Sequence, residues 1–216
     1  MHGTPHAHQY RCQGSEEIRR SFAALEFYWQ RLRGAASAPA LYDFDPSQVD
    51  AVLPYSLVIE AIAPGLTRVR VAGTEIDKLF DGDVRGMPFS ALFQGGARAH
   101  LQDLTEQVLT QPAVIEANIR MGRARGQMMM LPLASSEGQV TRAICAMIFE
   151  DTDSRGLHRC SFDGLPERIA PIHGADKARF TPIAQAPALR LVKTGAAVAT
   201  RRASRRDHLR LVVRND

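Results

Sequence analysis

Residues 68–86 read RVRVAGTEIDKLFDGDVRG and change pattern halfway. The first residues alternate charged and apolar side chains, which predicts a strand with one solvated face. From Thr74 onward the apolar residues are spaced as on a helix. Gly73 predicts a tight exit from the strand, with Thr74 as the helix cap, and Gly82 and Gly86 predict that the chain then bends back. The segment therefore indicates a strand that passes at once into a short helix.

Five segments of the chain have the length and composition of strands. The first, fourth and fifth are apolar on both faces, which favours the middle of a sheet, whereas the second and third alternate and favour its edges. Short connections predict hairpins between neighbours. These conditions predict an α+β fold, a five-stranded antiparallel sheet in the order 2-1-5-4-3 with a helical insert between strands 2 and 3. The segments are residues 56–62, 67–73, 113–122, 127–134 and 142–150.

An amphipathic helix is predicted before the first strand. Its apolar residues recur at steps of three and four and form one stripe, and the helix ends at Gly34. The stripe either packs on the chain's own sheet or forms the interface of a homodimer, and the two arrangements are compatible. Its residues are Ile18, Phe22, Leu25, Trp29 and Leu32.

Several short motifs follow one another along this part of the chain. They are a YWQRLRG helix end at residues 28–34, Asp45-Pro46, Leu53-Pro54, Ala72-Gly73-Thr74, Leu79-Phe80 and the pair Gly82 and Gly86. With these motifs and the strand order, residues 18 to 150 resemble PAS domains, in particular a divergent bacterial family of stand-alone PAS proteins. The resemblance implies a sensory module without an output domain that signals through protein–protein interaction, with or without a ligand. A constitutive adaptor with a filled core is the alternative.

The resemblance also implies where a small ligand would lie. The inserted helices would form a lid over a mostly apolar cavity, which is the usual kind of ligand site. The alternative is that the same side chains only fill the core. His100 lies in the region from which haem-binding PAS domains offer an axial ligand, but neither haem nor flavin is favoured and no cofactor is assigned. The predicted lining residues are Leu79, Phe80, Leu92, Phe93, His100, Leu104, Ile115, Ile119 and Met129.

The excess of positive charge lies at the C-terminal end. Residues 1–150 carry 14 Lys and Arg against 16 Asp and Glu, whereas residues 151–216 carry 13 against 7. Pro and Gly are also frequent after residue 150. We therefore expect a disordered N-terminus over residues 1–14, a PAS-like domain over residues 15–151 and an irregular basic extension over residues 152–216.

Arginines dominate the last part of this extension. Eight basic residues face a single acid between residues 190 and 214. Anionic membrane lipid, nucleic acid and an acidic protein all fit this charge, and so does a solvated disordered end. Aromatic residues do not interleave the arginines, which argues against stacking on bases. The arginines concerned are Arg201, Arg202, Arg205, Arg206 and Arg210.

Composition limits the remaining possibilities. Three widely spaced cysteines offer neither a disulfide framework nor paired zinc ligands, and no metal site is predicted. Because the sequence has no apolar run long enough for a membrane span and no secretory signal, we expect a cytoplasmic protein. The sequence motifs of nucleotide-binding, hydrolytic and metalloprotease enzymes are missing, so no enzymatic activity is expected.

Overall fold

The structure is a computed structural model, which describes residues 13–150 and 159–172 of the chain. The sequence predictions for residues 1–12 and for the arginines between residues 190 and 214 concern residues outside these ranges. Within the described ranges the predicted fold class is confirmed, because helices accompany one antiparallel sheet. None of the described helices is long and apolar enough to cross a lipid bilayer.

Seven strands form the sheet in the described part of the chain. They are β1 (Ser56–Ala63), β2 (Leu66–Ala72), β3 (Ala113–Met121), β4 (Ala124–Ala134), β5 (Val140–Phe149), β6 (Cys160–Phe162) and β7 (Arg168–Pro171). Their order is β2-β1-β5-β4-β3-β6, with β7 also paired to β3, and every pair is antiparallel. The order predicted for the first five strands is therefore confirmed.

Strand β3 is not the edge strand that the sequence predicts. Its second side pairs with β6 and β7, so that Ile119 lies opposite Phe162 and Ile115 opposite Ile169. Both short strands fall within the range for which the sequence predicts only irregular chain. Strands of three and four residues, separated by a turn at Gly164 (φ +96°), are too short to show an alternating pattern, so hydrophobic periodicity does not detect them.

Three α-helices are present in the described ranges: α1 (Ser15–Arg33), α2 (Thr74–Leu79) and α3 (Arg98–Thr110). The insert between β2 and β3 contains α2 and α3, as predicted. Short 3-10 turns complete the connections, at Leu41–Asp43, Pro46–Val49, Leu53–Tyr55, Phe89–Leu92 and Gly95–Ala97.

The pleat of β3 separates the two faces of the sheet. Ile119 and its neighbour Phe162 point toward the insert, where Phe162 packs against His100 of α3. Glu116, three residues before Ile119, points to the opposite side and lines a groove with Phe22 of α1. We call the side covered by the insert the inner face and the side on which α1 packs the outer face.

Helix α1 is attached to the outer face by its apolar stripe and by long-range hydrogen bonds, one of them from Arg168 of β7 to Glu26. The indole Nε1 of Trp29 donates to the carbonyl oxygen of Pro132 in β4 at 2.7 Å. After the last turn of the helix, Gly34 adopts φ +53°, and its N–H donates to the carbonyl of Gln30. Each large stripe side chain that is buried contributes about 1.5–3 kcal/mol to folding, so the stripe is sufficient to hold the helix in place.

The junction between β2 and α2 requires glycine for space. The φ of Gly73, −78°, is open to any residue, but a Cβ at this position would lie 2.2 Å from the carbonyl oxygen of Leu53 and 2.4 Å from that of Pro54. Gly73 also occupies the N-cap position, and Thr74 is the first residue of the helix. The predicted cap at Thr74 is therefore wrong, because the helix begins one residue earlier than the cap would require.

After α2 the chain returns along the free edge of β2. Gly86 (φ +81°) donates its N–H to the carbonyl of Val69 at 2.8 Å, and Val69 donates its own N–H to the carbonyl of Met87 at 2.9 Å. The left-handed residue that follows α2 is Asp81 (φ +55°) and not Gly82. The predicted bend thus depends on Gly86, which lets this segment pair with the edge of β2.

Candidate functional site

Most residues predicted to line a ligand cavity form a packed core on the inner face. Phe93 stacks on Phe162 with ring centroids 5.4 Å apart and meets Phe89 edge to face at 5.6 Å. Side chains of the protein therefore occupy this region, which favours the core-filling alternative. Five of the predicted residues are at most 2 % exposed and belong to one core cluster: Leu92, Phe93, Leu104, Ile115 and Ile119.

Leu79, Phe80 and His100 are half-buried. Leu79 and Phe80 pack against the core cluster. The His100 ring meets Phe162 edge to face at 4.7 Å, and its Nε2 is buried without a hydrogen-bond partner among the described residues. Sequence reasoning missed Phe162 because it missed β6, the strand that carries this ring to the insert.

Met129 lies on the other face of the sheet from the rest of the predicted set. It is opposite Glu116 in the pairing of β3 with β4, and it lines a groove beside Phe22 of α1. The adjacent Met130 is opposite Ile115 and points to the inner face. The structure thus differs from the prediction that Met129 lies under the inserted helices. Three consecutive methionines show no alternation, so the sequence does not identify which of them points inward.

The predicted interface residues of α1 pack on the chain's own outer face. Four of them, Ile18, Phe22, Leu25 and Trp29, are at most 4 % exposed, and Leu32 is half-buried. The sequence left open whether the stripe packs on the chain's own sheet or forms a homodimer interface. The structure contains the first of these arrangements. A second copy could use this stripe only if α1 moved away from the sheet.

A cluster of charged side chains lies on the outer face of β1, β2 and β5. Glu60 in β1 is opposite Arg68 in β2 and Arg142 in β5. Arg142 donates from Nε and Nη2 to Oε1 of Glu60 at 3.1 and 2.7 Å. Arg70 donates from Nε to the other carboxylate oxygen, and Nη2 of Arg68 lies 4.0 Å from it. We call these four residues, together with the exposed Val71, the arginine patch.

The arginine patch is positive because three guanidinium groups share one carboxylate. Burial raises the pKa of the Glu60 carboxyl, but the hydrogen bonds and charges of Arg70 and Arg142 outweigh burial and lower this pKa below its usual 4.5. Each guanidinium carries five N–H donors, more than these contacts use. The patch can therefore bind a further carboxylate or phosphate through charge-assisted hydrogen bonds.

Sequence reasoning did not identify the arginine patch. It recognised Arg68 and Arg70 only as the solvated face of an edge strand, and Arg142 is 82 residues away from Glu60. The predicted order nevertheless places β2, β1 and β5 side by side. A search for opposite charges across these neighbouring strands could have found the cluster.

The two free cysteines of the described chain are buried. Burial raises the pKa of both Cys145 and Cys160, and a thiol that stays protonated is a poor nucleophile. No group of three or more His, Cys, Asp or Glu side chains that could hold a metal ion occurs within residues 13–150 and 159–172. The side chains of the three arginines in the arginine patch, by contrast, are accessible to solvent.

A family model described as a PAS domain matches residues 18–148, more than half of the chain. The match begins within α1, includes the first four strands and the insert, and ends one residue before the end of β5. It does not reach β6 and β7, which close the second side of β3. No curated protein matches the chain significantly.

Proposed function

The chain belongs to the PAS domain family and is a sensory or regulatory module, and we propose that it acts by binding a protein partner. The partner binds with an acidic segment at the arginine patch, and no catalysis is involved. One observation carries this proposal. The three arginine side chains around Glu60 remain 32–47 % exposed, so their remaining donors are available to a partner.

The outer face has a covered part and an uncovered part. In β5, Ile144 and Ile148 are at most 2 % exposed, whereas Val71 in β2 is 56 % exposed. Val71 gives the arginine patch an apolar contact next to its positive charge. A partner segment that combines acidic and apolar residues fits this surface.

Charge also indicates which partner is disfavoured. In a two-fold symmetric homodimer through the arginine patch, each copy would present the same positive surface to the other. Like charges in contact across an interface are unfavourable. We therefore propose that the partner at this surface is a different and acidic protein.

The packed inner face supports partner binding that does not require a ligand in the PAS core. A ligand under the insert would have to displace side chains such as Phe93 and Leu104, which are at most 2 % exposed. An absorbance spectrum and a native mass spectrum of freshly purified protein distinguish the two modes. We expect the mass of the chain alone and no cofactor band, whereas a retained small molecule would favour ligand-dependent regulation.

The proposal can be tested on the partner that copurifies with the natural protein. Arg70→Glu reverses one charge of the arginine patch, and Arg31→Glu makes the same change at an exposed position of α1 outside the patch. We expect Arg70→Glu to weaken binding at least about tenfold and Arg31→Glu to change it less than about twofold. Equal binding by both variants, or binding that salt does not weaken, would refute the proposal.

The free cysteines of the described chain bear on where the protein is located. Free thiols at Cys145 and Cys160 fit a reducing compartment, so we propose that the protein is cytoplasmic.

For the arginines between residues 190 and 214 we propose reversible attachment to an anionic partner. If deletion of residues 190–216 leaves binding to anionic vesicles and to DNA unchanged at low salt, this role of the tail is refuted.

A further inference from the structure

The arginine patch is part of a longer uncovered surface on the outer face of the sheet. Leu66 lies two residues before Arg68 in β2, so its side chain points to the same face, and it is 41 % exposed. Val71, at the other end of the patch, is opposite Val58 of β1 and is 56 % exposed. Two apolar side chains therefore flank the arginines. We call Leu66 together with the arginine patch the outer strip.

The outer strip has the width of one α-helix. It lies on β2, β1 and the beginning of β5, which are neighbours in the sheet. Strands are about 4.8 Å apart, so β2 and β5 are about 10 Å apart. An α-helix with its side chains measures about 10–12 Å across. A single helix therefore covers the strip, on the same face on which α1 packs against β4.

The length of the outer strip determines which positions of a helix would contact its two ends. Leu66 and Val71 are five residues apart in β2, but Arg70 is an extra residue at a shift in the pairing with β1. At about 3.3 Å for each of the other steps, the two apolar side chains are about 13 Å apart. A helix rises about 1.5 Å per residue, so positions i and i+7 or i+8 are about 10.5–12 Å apart on one face. Apolar residues at these positions fit the two ends of the strip.

The charge of the outer strip requires acidic residues in the middle of such a helix. Three guanidinium groups share the carboxylate of Glu60, which leaves two positive charges in excess. Arg68 lies about 6.6 Å along the strand from Leu66. Positions i+3 and i+4 of a helix lie about 4.5–6 Å from position i. Carboxylates at these two positions therefore reach the arginines and form charge-assisted hydrogen bonds with them.

Backbone hydrogen bonding favours a helix over an extended segment on this surface. A lone strand on the face of a sheet would leave its N–H and C=O groups without partners, whereas a helix bonds its own. An extended segment could pair only along the edge of β2. At Val69 that edge is already bonded to the backbone of Gly86 and Met87. Strand addition is therefore blocked in the middle of β2.

Charge disfavours the two ends of this chain as the occupant of the outer strip. Residues 1–12 contain no Asp or Glu, and residues 173–216 contain ten Lys and Arg against three Asp and Glu. Segments of this composition are repelled by a positive surface. The charges therefore favour a segment of another, acidic molecule.

We propose that the outer strip binds an amphipathic helix of the partner, with apolar residues at positions i and i+7 or i+8 and acidic residues at i+3 and i+4. This inference rests on the function proposed above, because it specifies the segment that binds at the arginine patch. The carboxylates pair with the arginines, and the apolar side chains pack on Leu66 and Val71. The bound helix lies on the same face as α1 and extends the helical layer of the outer face.

Photo-crosslinking from both ends of the outer strip measures the conformation of the bound segment. In cells that naturally produce the protein, a diazirine amino acid replaces Leu66 in one variant of the full chain and Val71 in another. Mass spectrometry then identifies the partner residues to which each variant is attached. We expect one partner protein, with the two attachment sites about 7–9 residues apart, because of the short rise of a helix.

Several results of this experiment would overturn the proposal. Attachment sites about four residues apart would show an extended segment. Crosslinks only to nucleic acid or only to a second copy of this chain would show another occupant. A partner captured from Val71 but not from Leu66 would show that the strip does not continue beyond the arginine patch.

The mapped partner segment also allows a direct test of its helical conformation. Proline replaces the partner residue midway between the two attachment sites, and alanine at the same residue is the matched control. Proline inside a helix removes a hydrogen bond and clashes with the preceding turn. We expect the proline variant to bind at least about tenfold more weakly than the alanine variant. A difference of less than about twofold would overturn the helical conformation.

A pair of leucine variants separates this inference from the proposed function. Leu66→Thr removes the apolar end of the outer strip and keeps a residue type that favours strands. Leu165→Thr makes the same change at a leucine that is 85 % exposed and lies outside the strip. With the copurified partner, we expect about three- to tenfold weaker binding by Leu66→Thr and a change of less than about twofold for Leu165→Thr.

The response to Arg70→Glu shows which of the two ideas fails. If Arg70→Glu weakens binding and Leu66→Thr does not, the helix on the outer strip is refuted and the proposed function stands. If binding is insensitive to Arg70→Glu, both are refuted.

Discussion

Gly73 has no room for a side chain, because the carbonyl groups of Leu53 and Pro54 occupy the space of a Cβ. We expect Gly73→Ala to lower the free energy of unfolding by about 2–3 kcal/mol, since a backbone shift is needed to admit the methyl group. Gly82→Ala is the matched control, because nothing lies within 4 Å of its Cβ position. Urea unfolding measures both, and equal stability of the two variants would contradict the close approach at Gly73.

Glu60 makes the stability of the protein depend on pH. Its arginine partners lower its pKa in the folded state, so its contribution is present above the unfolded value of 4.5 and is lost as the pH falls through the lowered folded value. Because water screens the half-exposed arginines, we expect Glu60→Gln to cost only about 1 kcal/mol near neutral pH.

The pH dependence distinguishes the charge of Glu60 from its shape. In urea unfolding, the difference between Glu60→Gln and the unchanged protein should close under strongly acidic conditions, where the carboxyl is protonated in both states. Glu106→Gln, at an exposed position, should show no such difference at either pH. A cost that stays constant as the pH falls would show that the carboxylate charge is not responsible.

At the level of elements, β6 belongs to the fold although it has only three residues. Phe162 stacks on Phe93 and contacts His100, so removing its ring takes away two aromatic contacts at once. We expect Phe162→Ala to lower the free energy of unfolding by about 2 kcal/mol. Leu165→Ala, three residues beyond β6 and 85 % exposed in the wild type, should change it by less than about 0.5 kcal/mol.

The stabilities of the two variants show whether β6 packs on the insert. If thermal or urea unfolding shows that Phe162→Ala is as stable as Leu165→Ala, β6 does not pack on the insert. If instead only Phe162→Ala is destabilised, the second side of β3 is closed by a strand that the family match does not include.

The order of the five central strands could be predicted because burial on two faces and burial on one face leave different sequence patterns. The alternating pattern of β3, however, wrongly predicted that this strand lies at the edge of the sheet. Alternation in β3 reflects the charged contacts of its outer face, such as Glu116 with Arg168, and not exposure of its edge to water. Pairings with β6 and β7 could not be predicted, because strands of three or four residues have too few positions to show a period.

Side-chain clusters that join distant strands were not identified from the sequence. The arginine patch depends on the register that places Glu60 opposite Arg142 and Arg68, so finding it required comparing charges across the predicted neighbouring strands and not along one strand. By contrast, burial of the α1 stripe followed directly from its helical spacing.

For the whole molecule, the two faces of the sheet have different roles in this account. The inner face is filled by the aromatic and aliphatic side chains of the insert and strands. The outer face keeps a polar surface, the arginine patch on β1, β2 and β5, whose three arginine side chains stay 32–47 % exposed.

We expect the uncovered part of the outer face to bind the partner, and photo-crosslinking in cells that naturally produce the protein tests this most directly. A photoreactive amino acid replaces Val71 in the arginine patch or, in a second variant, the exposed Glu106 of α3. The account predicts a crosslinked partner from position 71 that Arg70→Glu abolishes, and none from position 106. A partner captured from position 106 but not from position 71 would contradict it.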